Sequence, residues 1–186
     1  NKATSAMSSV LFSPTALRAL TLDNRIVVGP MDQYSAVDGC ASDWHLMHLG
    51  KLATSGAGLV ITESAAVEAP GRITHGCLGL YSDANETALE RVVAFCREQG
   101  SAKLGVQLAH SGRKGSTLLP WEGRAEPLTA DQGAWQTYGC AGQKRAEGWP
   151  TPKPLNAAGL TRVLEAHVAA TERAARIGFE LVELVM

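Results

Sequence analysis

The stretch LGVQLAHSGRK, residues 104–114, is an apolar run that changes abruptly into polar and basic residues. Strands covered on both faces of a parallel sheet are nearly continuous apolar runs, so the amide of Gln107 must find a hydrogen-bond partner or cost stability. Two interpretations follow. Either Gln107 and residues 110–114 belong to a site at the end of a strand, or Gln107 bonds neighbouring backbone groups and residues 110–114 form a solvated loop.

The surrounding sequence alternates strand-like and helix-like segments in the order βαβαβαβ. The predicted strands are residues 25–28, 58–62, 104–109 and 179–185. The predicted helices are 43–55, 86–99 and 157–177, with N-caps at Ser42, Asn85 and Asn156 and with Gly56, Gly100 and Gly178 at their ends. One apolar face of the last helix is marked by Leu160, Val163, Leu164, Val168, Thr171, Ala174 and Ala175. Residues 20–22, followed by a turn at Asp23 and Asn24, suggest a short hairpin before the first strand.

This alternation predicts a parallel sheet, either open and doubly wound or closed into a barrel. The segment GPMDQYSAVDG, residues 29–39, follows the first strand with a proline and has no GxGxxG pattern, which disfavours a dinucleotide-binding fold. A (β/α)8 TIM barrel fits better, because its chemistry lies on the loops after the strands. We expect residues 1–10 to be disordered or left over from cloning, and residues 11–186 to form about the first four βα units. The stretch 111–155 is too long for an ordinary loop and suggests a functional excursion.

Composition excludes several classes of protein. Hydrophobic residues make up 45% and charged residues 19%, which is typical of a folded domain, and a net charge of −1 gives no footprint for nucleic acid or anionic lipid. No apolar run has the roughly 18 residues of a membrane helix. Cys40, Cys77, Cys96 and Cys140 are far apart, which favours reduced thiols in a cytoplasm. His45 and His48 lack a third ligand at useful spacing, so we expect no metal site.

Three segments together are similar to one family. GPMDQYSAVDG, SDWHLMHLGKLATSGAGLVITESAAVEAPGRITHG and GVQLAHSGRKGS resemble the Old Yellow Enzyme family of FMN-dependent ene-reductases, and most closely its bacterial xenobiotic-reductase branch. The likeness runs from about residue 11 to residue 183. It implies a TIM barrel that holds FMN noncovalently at its C-terminal mouth. NADPH or NADH would reduce this flavin, which would then pass hydride to a small-molecule alkene.

The resemblance also implies roles for particular residues. Pro30 and Met31 would pack on the flavin, Ser64 would lie under the isoalloxazine ring, and Gln107 would bond its pyrimidine edge. An amide suits that edge because it offers both a donor and an acceptor. Tyr34 resembles the tyrosine beside the substrate. Arg113 and Lys114 occupy the positions of cationic residues at the mouth, although a solvated pair is an equally simple interpretation.

Asp32 departs from the family pattern, because this branch carries a cysteine there that contacts flavin and substrate. An ionised Asp32 would lower the flavin potential, whereas a desolvated Asp32 would have a raised pKa and be neutral. We expect altered activity in either case. A flavin midpoint potential that is the same in the Asp32→Cys variant would contradict this expectation.

The second departure concerns the end of the fourth strand. Val185 stands where the family has the first histidine of an HxxH or HxxN pair that binds the substrate carbonyl, and the phosphate-binding loops belong to later strands. We therefore expect an impaired fragment of an ene-reductase. The alternative is a noncatalytic half barrel that associates with copies of itself through its exposed sheet edges, so a homo-oligomer is expected.

Overall fold

The computed structural model describes residues 9–123 and 126–185, so most of the predicted disordered start lies outside the described residues. The helices are α1 (Asp43–Ala53), α2 (Asp83–Gln99) and α3 (Ala157–Ile177). The strands are β1 (Thr15–Leu17), β2 (Leu20–Leu22), β3 (Val27–Val28), β4 (Leu59–Ala66), β5 (Lys103–Ala109), β6 (Tyr138–Gly139), β7 (Lys153–Pro154) and β8 (Leu181–Val185). Within the described residues no helix is long and apolar enough to cross a membrane.

Four parallel strands form the central sheet in the order β3-β4-β5-β8, and α1, α2 and α3 are the successive crossovers. Each new strand is added on the same side of the previous one. This monotonic order is that of a barrel wall, since a doubly wound sheet returns to its middle and reverses direction. The predicted βαβαβαβ pattern is confirmed.

The hydrophobic core lies between one face of this sheet and the three helices. Alternate residues of β5, namely Leu104, Val106 and Leu108, point into that core, where Leu89 and Val92 of α2 are fully buried. The other residues of β5 therefore point to the opposite face. An added Cβ at Gly105 would lie 3.0 Å from Leu181, which shows how closely β5 and β8 approach on that inner face.

The long stretch between β5 and α3 folds back over the strand ends. It contains 3₁₀ turns at Gly112–Lys114 and Ala130–Gln132, and the short parallel pair formed by β6 and β7. The indole of Trp135 donates to the Pro70 carbonyl, and the Arg72 guanidinium lies 5.5 Å from the centroid of its ring. The excursion is thereby packed against the segment that follows β4.

Several predicted boundaries are corrected. The hairpin is real, but its turn lies between Leu17 and Leu20 rather than at Asp23 and Asn24. Asn24 instead ties the start of β3 to the start of β4, because its Oδ1 accepts from the amides of Ile26 and Gly58 at 3.0 Å each.

The N-cap of α2 is Ser82 rather than Asn85. The buried side chain of Asn85 is engaged elsewhere, with Nδ2 donating to the Asp38 carbonyl and the Cys40 sulfur. The predicted caps at Ser42 and Asn156 are confirmed, as is Gly178 at the end of α3, where φ is +98°. The second strand is longer than predicted, because β4 pairs with β5 as far as Ala66, past a register shift between Thr62 and Ser64.

The buried face of α3 only partly matches the one that the apolar pattern marks, with Ala174 in common. Ala170, Ala174 and Ile177 are buried, whereas Leu160, Leu164 and Val168 are 56%, 64% and 52% exposed. Two of the buried residues are alanines, which let α3 lie close to the sheet. Leu160, Val163 and Leu164 of α3, with Leu184 and Val185 of β8 and the loop residues beside them, line an apolar hollow of about 440 Å³ that we call the open edge.

Candidate functional site

A polar cavity of about 300 Å³ lies on the inner face of the sheet, at the carboxyl ends of β4, β5 and β8. This volume is at the lower end of the range for ligand pockets. The cavity is lined by Asp32, Ser64, Ala66, Gly71, Arg72, Ile73, Cys77, Gln107, Ala109, His110, Ser111, Lys114 and Val185. The strand ends of a (β/α)8 barrel carry the active sites of such enzymes, so this cavity is the candidate site.

The register of the sheet brings the central polar side chains to one level. Ser64 of β4 pairs with Gln107 of β5, which pairs with Glu183 of β8. Gln107 is half-buried, and within the described residues its side chain makes no hydrogen bond. The structure therefore does not show Gln107 bonded to neighbouring backbone groups, and its amide is available to a ligand.

In the loop after β3, Asp32 lines one side of this cavity, and Tyr34 contacts Asp32 but does not itself line the cavity. Asp32 Oδ1 accepts from the Ser64 amide at 3.3 Å, and the Tyr34 hydroxyl donates to Asp32 Oδ2 at 3.5 Å. Tyr34 has φ +51°, a left-handed conformation that is uncommon outside glycine and often marks functional sites. The ring of Trp121 lies edge-on to Tyr34, with 6.2 Å between centroids.

Burial raises the pKa of both groups. Burial, followed by the neighbouring Asp32 carboxyl, raises the pKa of Tyr34 to about 12, so Tyr34 remains a hydroxyl donor at neutral pH. Burial, followed by the charge of Glu63, raises the pKa of Asp32, while the Ser64 amide and Lys114 oppose that rise. The direction of this shift is the one expected of the desolvated Asp32 considered above.

Glu63 is a buried acid directly behind this loop, with a side chain that is only 3% exposed. Its Oε2 accepts from the Gln33 amide at 3.1 Å, and its Oε1 lies 3.1 Å from His45 Nε2. His45 Nδ1 accepts from the Ser42 amide at 2.9 Å, so the neutral ring carries its proton on Nε2, facing Glu63. His45 thus closes the cap of α1 and joins that helix to β4.

A second acid–histidine pair supports the loop after β5. His110 Nε2 lies 2.9 Å from Glu68 Oε1, and the amide of Gly112 donates to His110 Nδ1 at 3.0 Å. Glu68 is also held by Arg162 of α3, whose Nε donates to it at 3.0 Å. These contacts orient the loop and leave neither histidine nitrogen free for acid–base chemistry.

The remaining predicted site residues are not equally placed. Pro30 is half-buried and Met31 is 51% exposed, and neither lines the cavity. Lys114 lines it, although it is exposed. Arg113 turns away, because its Nη1 donates to the Lys144 carbonyl in the excursion. The two neighbouring cations therefore face different surroundings.

Sequence reasoning missed the segment after β4, which supplies Gly71, Arg72 and Cys77 to the cavity. Its position directly after a barrel strand is the signal that points to it. It also missed Glu63 as a buried partner of His45. Among the described residues there is no group of three His, Cys, Asp or Glu side chains that could hold a metal ion.

Comparisons with known proteins agree with this geometry. Residues 10–186 match the profile of the NADH:flavin oxidoreductase / NADH oxidase family. The chain is 37% identical over 180 residues to an NADH:flavin oxidoreductase of Gibberella zeae, covering 95% of this chain and 43% of that protein. It is 35% identical over 184 residues to an NADPH dehydrogenase of Geobacillus thermodenitrificans, covering 96% and 48%.

Among solved structures, morphinone reductase in complex with tetrahydroNAD is similar, with a TM-score of 0.78 and 25% identity. The match covers 95% of this chain and 49% of that one. The four parallel strands and three helices are therefore those of a partial α/β barrel. The chain spans about half the length of the curated relatives that it matches.

Proposed function

The chain belongs to the NADH:flavin oxidoreductase / NADH oxidase family, and we propose that it forms the flavin-facing half of an FMN-dependent NAD(P)H oxidoreductase. We propose activated alkenes, such as enones and other xenobiotics, as its small-molecule substrates. The observation that carries the proposal is the free amide of Gln107, at the middle of the strand-end cavity.

The residues of the cavity fit a planar cofactor. Its inner wall is built from small side chains, Ser64, Ala66 and Ala109, which leave room for a flat ring against the strand ends. Gly71 also leaves no room for a larger residue, since an added Cβ would lie 3.0 Å from the His110 ring. Gln107 offers the donor and the acceptor that the pyrimidine edge of a flavin requires.

When bound, FMN would supply hydride transfer between the nicotinamide and the alkene. The protein's own contribution is binding and orientation. Gln107 and Ser64 would hold the ring, with Pro30 and Met31 proposed to pack on it from the loop after β3. Tyr34 is proposed to lie beside the substrate, with its hydroxyl donating to Asp32.

We further propose that these 186 residues alone bind FMN weakly and turn over slowly. The family resemblance assigns the phosphate-binding loops to later strands of the barrel, and it assigns the ligands of the substrate carbonyl to the position of Val185 and beyond. Val185 lines the cavity with an apolar side chain that offers no hydrogen bond to a carbonyl oxygen.

The test is a titration of the purified chain with FMN, followed by flavin fluorescence, for the wild type and for Gln107→Leu. Losing an amide that bonds the ring should weaken binding by roughly fivefold to tenfold. Gln99→Leu, at the exposed end of α2, is the matched control and should bind as the wild type does. Equal affinity for all three would show that Gln107 does not contact the flavin. Comparing NADPH with NADH as reductant of the bound flavin identifies the preferred donor.

A second candidate function is that of a noncatalytic half barrel that self-associates. The open edge favours it, because Leu164 and Leu184 are 64% and 55% exposed and lie beside an edge strand. A colourless protein whose oligomeric state depends on concentration would favour this candidate over the first. We propose a homo-oligomer in either case, and a cytoplasmic location, since all four cysteines are unpaired.

A further inference from the structure

Asp32 and Glu63 form a reciprocal link between two neighbouring strand ends. The side chain of Asp32 accepts from the amide of Ser64, which follows Glu63, and the side chain of Glu63 accepts from the amide of Gln33, which follows Asp32. The two carboxyl groups therefore bridge the same pair of segments in opposite directions. This link fixes the loop after β3 against β4 at the register shift of that strand.

The two acids differ in their partners. Glu63 makes the shorter contacts: its Oε2 accepts from the Gln33 amide at 3.1 Å, and its Oε1 lies 3.1 Å from His45 Nε2, although that nitrogen meets no hydrogen-bond geometry within the described residues. Asp32 has one amide donor, at 3.3 Å, and a hydroxyl at 3.5 Å, and it faces the cavity. Two neighbouring carboxylates in a poorly hydrated site do not both ionise readily, and the longer contacts of Asp32 favour placing the proton there.

We propose that Glu63 is a positioning residue that holds the loop after β3 through the Gln33 amide and, by its buried charge, keeps Asp32 protonated. Asp32 then presents a hydrogen-bond donor to the cavity. The ligand class that it selects is one with an acceptor oxygen, such as a carbonyl or nitro group, rather than a basic nitrogen. This deepens the function proposed above, and its decisive test requires no flavin.

The groups that face Asp32 act in both directions. Glu63 of β4 favours its neutral form, as does its burial, whereas the thiol of Cys77 in the following segment has its own pKa raised by burial and carries no charge at neutral pH. Lys114, from the 3₁₀ turn after β5, favours its ionised form, and the Tyr34 hydroxyl donates to it. Lys114 is exposed and therefore screened by solvent, which leaves the buried Glu63 as the stronger influence.

The first experiment is a pH titration of the ligand-free chain by NMR, with carbon-13 in the aspartate carboxyl groups. The Asp32 signal is assigned by its loss in Asp32→Asn. We expect Asp32 in the wild type to titrate above an ordinary aspartate, and Glu63→Gln to shift its midpoint downward. Glu180→Gln is the matched control, because Glu180 also accepts a backbone amide, that of Leu104, but lies at the opposite end of the sheet.

An ordinary midpoint in the wild type overturns the proposal without any variant, so the test stands even if Glu63→Gln does not fold. A midpoint that Glu63→Gln leaves unchanged, in a variant whose circular dichroism matches the wild type, overturns it as well.

The second experiment measures FMN affinity as a function of pH for the wild type and Asp32→Asn. Both share the titration of the FMN phosphate, so their difference isolates Asp32. We expect wild-type affinity to fall roughly fivefold as Asp32 ionises, relative to the variant. Parallel curves would show that Asp32 donates nothing to FMN, and the same comparison with an enone then decides whether the acceptor oxygen is the substrate's. Absence of any FMN binding would contradict the proposed function, while the NMR titration would still decide the role of Glu63.

Discussion

Helices α2 and α3 carry similar apolar patterns but have opposite fates in the structure. In α2, Leu89, Val92, Val93 and Cys96 are at most 2% exposed. In α3, Leu160, Leu164 and Val168 are more than half exposed, and that helix packs through Ala170, Ala174 and Ile177 instead. An apolar face indicates that a helix must be covered, but it does not indicate which segment or partner covers it. The apolar residues of α2 that pack on the sheet are buried within the chain, whereas the apolar residues at the open edge are exposed.

The largest expected effect is a difference in stability between substitutions in the two helices. Leu89→Ala removes a fully buried side chain and should lower the free energy of unfolding by about 2–5 kcal/mol. Leu164→Ala should change it by less than about 0.5 kcal/mol, because that side chain is 64% exposed. Urea unfolding followed by circular dichroism measures both. A large loss for Leu164→Ala in dilute solution would mean that the open edge is already covered by a second copy.

Self-association should be the next largest effect. If the open edge pairs copies of the chain, Leu164→Glu should weaken association by about tenfold, corresponding to about 1.4 kcal/mol. Sedimentation velocity over a range of concentrations measures the change. Met47→Glu is the control, because Met47 is comparably exposed, at 51%, on α1. A wild type that is monomeric at every concentration would remove the self-association candidate.

The smallest effect concerns the ion pairs that join α2 to α3. Arg176 and Arg173 lower the pKa of Glu86, so this pairing stabilises the fold above the ordinary titration range of glutamate and is lost as pH falls through the lowered value. Arg176 is exposed and its charge is screened by solvent, so we expect only a small effect. Urea midpoints of the wild type and Glu86→Gln should therefore differ near neutral pH and converge in acid. A difference that persists in acid would point to packing rather than charge.

The site residues that lie at or just after the ends of predicted strands could be predicted from the sequence. Gln107, Ser64, Asp32 and Lys114 could be placed in the site because their order along the chain matches a family pattern, and all four line the cavity. Arg113 could not be separated from Lys114 by sequence, since only the path of the excursion gives it the Lys144 carbonyl as a partner.

Glu63 shows why the rest was out of reach. In the sequence it is one acid in a strand, 18 residues from His45 and 31 from Asp32. Only the adjacency of parallel strand ends brings these three residues together behind the cavity. The N-cap of α2 likewise depends on tertiary contacts. Asn85 is of a residue type that often caps helices, but its side chain donates to Asp38 and Cys40 in a distant loop.

The sequence by itself determined the alternation of strands and helices, the family, and the polar residues that follow each strand, because these depend on local periodicity and on short motifs. The tertiary structure decided which face of α3 is buried, which of the two adjacent cations reaches the cavity, and that Asp32 lies against a second, buried acid. Those features depend on which segments become neighbours in space, and burial and charge act through that proximity rather than through sequence order.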